Sequence, residues 1–230
     1  MSGRAIPIVA LDVSSRAEAL ALVERLGASC RFYKIGSELF TSEGPSLVRD
    51  VVASGADVFL DLKFHDIPNT VRKGAAAAAR LGVRLLTVHA AGGRAMLEAA
   101  RDGAGAECGV LAVTVLTSLD AAGLGESWGR PVEDLAGEVV RLAGLAADAR
   151  LHGVVCSGLE LPAIRSAYGD RLAPLVPGIR LAGGATQDQV RVVTPAEAVR
   201  QGARYLVLGR TVTADPDPAA AMARVLAEIA

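Results

Sequence analysis

Short apolar runs recur along the chain, separated by longer stretches whose apolar positions follow a helical spacing. The runs Ile6–Leu11, Phe32–Ile35, Val58–Lys63, Leu85–His89, Gly109–Leu116, Gly153–Cys156, Leu172–Val176 and Tyr205–Leu208 predict eight strands. Between them, Arg16–Leu26, Pro45–Ala53, Thr70–Leu81, Gly93–Ala100, Val132–Ala149, Leu159–Ala167, a stretch ending near Gln201, and Pro218–Ile229 predict helices. Gly27, Gly55, Gly82 and Gly202 stand where those helices stop, as a helix C-terminus favours.

Eight strand–helix units in 230 residues come to about 29 residues each, close to the roughly 30 of a βα repeat. Strands joined by helical crossovers lie parallel, and eight of them favour closure. The pattern predicts an α/β protein, a single-domain (β/α)8 (TIM) barrel over residues 1–230. No linker divides it. Thr117–Arg130 shows no clear element, and the loop Arg180–Thr186, with Gly183 and Gly184, is expected to be mobile.

Composition narrows the classes. The chain is 51% hydrophobic and carries a net charge of −1, so it has neither the balance of a disordered segment nor the basic footprint of a nucleic-acid or membrane-surface binder. No apolar run reaches the roughly 20 residues of a membrane span, and the start of the chain lacks a secretory pattern, so a cytoplasmic protein is expected. Cys30, Cys108 and Cys156 are scattered and fit neither a disulfide framework nor a metal site.

A barrel puts its chemistry at the C-terminal strand ends. There this chain places Asp12, Lys34, the run Asp61-Leu62-Lys63 with Asp66 after it, His89, Thr117-Ser118, Arg180, and Gly209-Arg210. Asp61 and Lys63, two apart on a strand, share a face. A salt-bridge cluster would explain a lone D-x-K. It does not explain charges ending strands one and two as well, because surface ion pairs stabilise by only about 0–1 kcal/mol. Gly209-Arg210 follows the last strand, where such barrels bind phosphate, and Arg offers a bidentate fork. With Arg180 and Gln189 it predicts a phosphorylated substrate. His89 reads as hydrogen-bonded in the barrel mouth, Cys156 as a small buried residue, and Trp128 as packing. No metal-ligand spacing, nucleophile elbow or nucleotide-binding glycine loop is present.

Of 24 basic residues only Lys34, Lys63 and Lys73 are lysines, and Asn69 is the single asparagine. Two of the three lysines fall at strand ends, and the asparagine lies just past Asp66.

The decapeptide Asp61-Leu62-Lys63-Phe64-His65-Asp66-Ile67-Pro68-Asn69-Thr70 resembles the D-x-K-x-x-D signature of orotidine 5′-phosphate decarboxylases in their bacterial form. Val9–Asp12, Tyr33–Gly36, Thr87–His89, Leu116–Ser118, Pro177–Arg180 and Leu208–Arg210 follow in that family's order. The resemblance implies a homodimeric barrel with shared active sites and no metal or organic cofactor, turning orotidine 5′-phosphate into UMP and CO2. It implies that Lys63 protonates the ring carbon and that Asp61 faces the substrate carboxylate. Asp66, Ile67 and Thr70 would belong to the segment reaching the partner's site. Asp12 and Lys34 would serve the ribose and the charge network, Thr117 and Ser118 the pyrimidine. Arg180, Gln189, Gly209 and Arg210 would serve the phosphate and loop closure.

Mg2+-dependent 3-keto-gulonate 6-phosphate decarboxylases and hexulose-phosphate synthases share D-x-K-x-x-D but typically place a metal-binding Glu where this chain has Lys34. An ammonium is a poor neighbour for Mg2+. A non-catalytic pyrimidine-nucleotide-binding barrel would need no general acid, so Lys63 speaks against it.

Overall fold

The computed structural model describes residues 5–181 and 192–230. Eight parallel strands close into a barrel in chain order: β1 (Ile6–Ala10), β2 (Phe32–Gly36), β3 (Asp57–Phe64), β4 (Leu85–His89), β5 (Gly109–Val113), β6 (Gly153–Val155), β7 (Ala173–Val176) and β8 (Tyr205–Leu208), with β8 pairing back to β1. Around them lie α1 (Arg16–Leu26), α2 (Ser37–Ala53), α3 (Pro68–Ala79), α4 (Gly93–Ala104), α5 (Ala121–Trp128), α6 (Leu135–Asp148), α7 (Leu161–Tyr168), α8 (Pro195–Arg200), α9 (Arg210–Thr213) and α10 (Pro218–Glu228).

Strand alternation splits the core in two. Ile8, Ala10, Phe32, Phe59, Leu85, Leu111, Leu175, Tyr205 and Val207 fill the barrel interior. The residues between them, such as Val9, Tyr33, Ile35, Val58, Leu60, Leu86 and Val88, pack outward under the helices. Following the inward positions up one strand shows how the site arises: Phe32 gives way to Lys34 on β2, Phe59 to Asp61 on β3, and Leu85 to Thr87 on β4. The lower barrel is an apolar plug, and the upper rim carries the charges.

Besides shifts at element ends and the short α9, which has no counterpart in the expectation, the observed elements differ from it in three places. The stretch Thr117–Arg130, which shows no clear element in the sequence, contains α5. Asp120 caps it by accepting from the Gly123 N–H at 2.8 Å, and Gly129 ends it in the left-handed conformation (φ 64°). Gly123, Gly125 and Ser127 are weak helix formers, which hides the element from pattern reading. Second, α2 begins at Ser37, eight residues before the expected start, and bends at Gly44 (φ 67°) just ahead of Pro45. Third, β5 ends at Val113, short of the expected Leu116, although Thr114 still holds β6: its N–H and its hydroxyl both donate to the Val155 carbonyl, at 3.2 and 2.9 Å.

The helices α3 and α4 approach closely because their contact is built from small residues. A Cβ at Gly103 on α4 would meet the Arg72 carbonyl of α3. This tight pair flanks the segment that leaves β3 at the rim. No helix among the described residues is long and apolar enough to cross a membrane.

Candidate active site

The barrel mouth holds a run of alternating charges. Lys34 Nζ donates to Asp12 Oδ1 at 2.8 Å and lies 4.0 Å from Asp61 Oδ2. Lys63 Nζ donates to both Asp61 oxygens, each at 3.0 Å. Asp61 thus sits between two ammonium groups. The side chains of Lys34 and Asp61 are 11% and 14% exposed. Charges so far removed from water persist only when paired. Space for the Lys34 ammonium comes from Gly36, where a Cβ would stand 3.1 Å from Nζ.

The Lys63 backbone is left-handed, with φ 49°. That conformation costs a residue bearing a Cβ on the order of 1–2 kcal/mol. It coincides with a break in strand register: Leu60 pairs with Leu86 and Phe64 with Val88, so β3 advances four residues while β4 advances two. Thr87, 1% exposed, faces the resulting bulge. Its Oγ1 accepts from the Lys63 N–H at 2.9 Å and donates to Asp61 Oδ1 at 2.9 Å. Leu62 and Phe64 still turn outward against the helix layer, so Asp61 and Lys63 share the inner face as the alternation predicts.

Two adjoining cavities share Lys34, Asp61 and Lys63 as lining. One, about 150 Å³, reaches past Asp12 to Ser37 and Glu38. The other, about 190 Å³, sets those three charges against an apolar wall that includes Phe59, Val113, Val155, Leu175 and Val207, with Thr117 at its edge. A flat heterocycle fits such a wall, with its reacting edge toward the ammonium groups.

The remaining expected residues are placed as follows. Ser118 is exposed and does not line either cavity. Arg180 Nη1 donates to the Ile179 carbonyl at 2.9 Å and reaches toward Thr211 Oγ1, 3.5 Å away. Thr211 is on α9, which starts at Arg210 directly after Gly209. The ends of β7 and β8 therefore bring Arg180 beside the Gly209-Arg210 segment. Gln189 and most of the glycine loop, including Gly183 and Gly184, lie outside the described residues.

Asp66, Ile67 and Thr70 do not join the charge run within one chain. Residues 65–70 are all exposed, and Ile67 is 67% exposed. The Asp66 carboxylate is exposed and accepts from the Ile67 N–H at 2.6 Å, a bond within its own loop. The run in a single chain is therefore Asp12–Lys34–Asp61–Lys63, without Asp66 at its end.

His89 was expected to be hydrogen-bonded. Its ring instead packs against His65, centroids 5.5 Å apart. Burial, then the charges of His65 and Lys63, holds its imidazole below the ordinary histidine range, with Asp61 pulling the other way. Cys156 is fully buried, and Trp128 packs on the core under the Arg130 and Arg141 guanidinium groups. Lys73 is exposed on α3, and nothing in the structure explains its retention. Sequence reasoning missed Thr87. Its signal was a polar residue at a buried inward position of β4, between Leu85 and His89 on the same face.

Comparison with known proteins agrees with this geometry. The family model described as orotidine 5′-phosphate decarboxylase / HUMPS family matches residues 6–225. A protein of Nitrosococcus oceani named orotidine 5′-phosphate decarboxylase is 48% identical over 228 residues, covering 96% of both chains. One of that name from Moorella thermoacetica is 50% identical over 232 residues, covering 96% of this chain and 91% of its own. The crystal structure of orotidine 5′-phosphate decarboxylase from Lactobacillus acidophilus superposes with a TM-score of 0.87 at 36% identity, covering 99% of each chain. A rim of alternating lysines and aspartates on a closed eight-strand barrel, matched by relatives along nearly its whole length, places this chain in the orotidine 5′-phosphate decarboxylase / HUMPS family.

Proposed function

We propose that this chain decarboxylates orotidine 5′-phosphate to UMP and CO2, the last step of de novo UMP synthesis. The observation that carries the reading is the Lys63 ammonium, held at 3.0 Å on Asp61 and facing an apolar wall across a cavity of about 190 Å³. The relatives named above support it.

Loss of CO2 breaks the bond between the carboxylate carbon and the pyrimidine ring. The electron pair stays on the ring carbon, in an orbital the π-system does not delocalise. Fixed charge must stabilise it. The Lys63 ammonium supplies that charge and then the proton: an N–H bond breaks, a C–H bond forms on the ring carbon, and the neutral amine is reprotonated from water. An ammonium about 4 Å from the developing anion contributes on the order of 4 kcal/mol at an effective dielectric near 20. That is roughly 10³-fold in rate, so orientation of the substrate must supply the rest. Asp61, between Lys34 and Lys63, fixes both ammonium groups. Arginine would serve badly at position 63 because it stays protonated.

Arg210 and Arg180 at the ends of β8 and β7 are proposed to hold the phosphate, with Gln189 from the loop between them. Asp12 and Lys34 line the cavity proposed for the ribose, and Thr117 lines the one proposed for the pyrimidine, where Ser118, next to it in the chain, is proposed to reach the base when substrate binds. The exposed run of residues 65–70 beside the mouth supports a homodimer in which Asp66, Ile67 and Thr70 complete the partner's site. The three free, buried cysteines support a cytoplasmic location.

The test is ultraviolet monitoring of orotidine 5′-phosphate with purified protein. Conversion to UMP supports the reading. An unchanged spectrum, with Mg2+-dependent turnover of a sugar phosphate instead, overturns it.

A further inference from the structure

The bulge in β3 poses a structural problem. Residues 61–63 face a stretch of β4 in which Thr87 is the only residue between the paired positions Leu86 and Val88. The strand ladder therefore offers the Lys63 N–H no backbone acceptor on β4. A left-handed lysine at φ 49° is held only if its surroundings define it. The Thr87 hydroxyl is the group that does so. It accepts from the Lys63 N–H and donates its own proton to Asp61 Oδ1, both at 2.9 Å.

One hydroxyl thus ties together three parts of the site: the backbone of the proposed proton donor, the carboxylate that orients its ammonium, and the neighbouring strand. The polarity is matched. Hydroxyl oxygen accepts readily while its proton is donated, and a carboxylate accepts only. The β-branched side chain restricts the χ1 rotamers open to it, so the hydroxyl direction is preset. Burial at 1% exposure keeps water from substituting for either bond.

We propose that Thr87 is a positioning residue for the decarboxylation, setting the Lys63 ammonium on Asp61 through the bulge without itself touching the substrate. This rests on the functional reading above, and its consequences fall on the chemical step. Thr87 lines neither cavity, so substrate affinity should depend on it little.

The test is a comparison of Thr87→Val, which keeps the shape and removes the hydroxyl, with Thr87→Ser, which restores it. Thr87→Cys is run in parallel as a smaller replacement of weak hydrogen-bonding power, in case the valine leaves the buried Lys63 N–H too poorly satisfied to fold. With orotidine 5′-phosphate, kcat is expected to fall about 10- to 100-fold in Thr87→Val, and to a smaller degree in Thr87→Cys, the scale of a hydrogen bond to a charged group. KM should stay within about threefold, the pattern of an interaction expressed in the transition state. Thr87→Ser should recover most of the lost kcat. Wild-type kcat in folded Thr87→Val or Thr87→Cys overturns the proposal. So does a joint loss of kcat, KM and melting temperature that serine does not repair, which marks a merely structural residue. A wild-type chain inactive on orotidine 5′-phosphate removes the functional reading itself, a result distinguishable from any difference among the variants.

Discussion

Nζ of Lys63 lies 3.0 Å from each carboxylate oxygen of Asp61, two residues earlier on the same strand. The ammonium is oriented by a group that takes no proton from it in the reaction. Replacing Lys63 by alanine removes both the stabilising charge and the proton source. Turnover of orotidine 5′-phosphate in Lys63→Ala is expected to drop by at least about 10³-fold, the value of the charge alone. Binding of a UMP-type ligand, measured by calorimetry, should survive in part, because the phosphate and ribose contacts are elsewhere. Loss of both together would mean that Lys63 holds the barrel mouth rather than the chemistry.

Asp66 is exposed, and its carboxylate accepts from the Ile67 N–H of its own loop. If it completes the site of a second copy, Lys63→Ala and Asp66→Ala are each inactive, yet their mixture is not. Random subunit exchange between two-fold dimers leaves one intact site in each mixed dimer, so about a quarter of wild-type activity should return. Exchange demonstrated by mass spectrometry with no gain in activity would rule out the shared site.

The oxygen ligands a divalent cation would want are already engaged by ammonium groups: Asp12 by Lys34, and Asp61 by Lys63 with Lys34 nearby. Among the described residues no cluster of three or more potential ligands is assembled. Decarboxylation is therefore expected to proceed unchanged after dialysis against a chelator. A rate that collapses and returns with Mg2+ would favour the sugar-phosphate branch of the family.

At the opposite end of the barrel His152 Nε2 and the Tyr205 hydroxyl lie 2.8 Å apart. Burial, then the charges of Arg84 and Arg204, lowers the His152 pKa below the ordinary value of 6.5. Between the folded and unfolded pKa values the unfolded chain binds the extra proton, so stability rises with pH in that window. The contribution is complete above about pH 6.5 and is lost as pH falls through the folded value. Urea midpoints at pH 7.5 and 5.5 should show a larger acid loss for wild type than for His152→Gln. His89, shifted the same way, leaves a residual dependence in the variant. Equal acid losses in the two proteins would show that His152 titrates alike folded and unfolded.

Much of the barrel was legible in the sequence because its code is local. Inward and outward positions alternate along each strand, and four of the expected helix stops, such as Gly82 at φ 83°, are left-handed glycines. The site was legible as far as residue type at strand ends goes: Lys34, Asp61 and Lys63 meet because each sits at an inward position near the top of its strand. What stayed hidden depends on pairing between strands. The two-residue register shift opposite Thr87, and the left-handed Lys63 it produces, leave no periodic trace. α5 was hidden differently, since glycines and a serine weaken a helix that tertiary packing of Leu124 and Trp128 retains. The local hydrogen bond between Asp66 and the next residue's N–H is likewise not encoded in the spacing of the motif.

The most direct measurement follows carboxyl-labelled orotidine 5′-phosphate in deuterated water, with wild type and Lys63→Ala side by side. Wild type is predicted to release one labelled CO2 for each UMP and to leave deuterium on the ring carbon that lost the carboxylate, while Lys63→Ala does neither at a comparable rate. A wild type that releases no CO2, or a Lys63→Ala protein that keeps pace with it, would contradict the account.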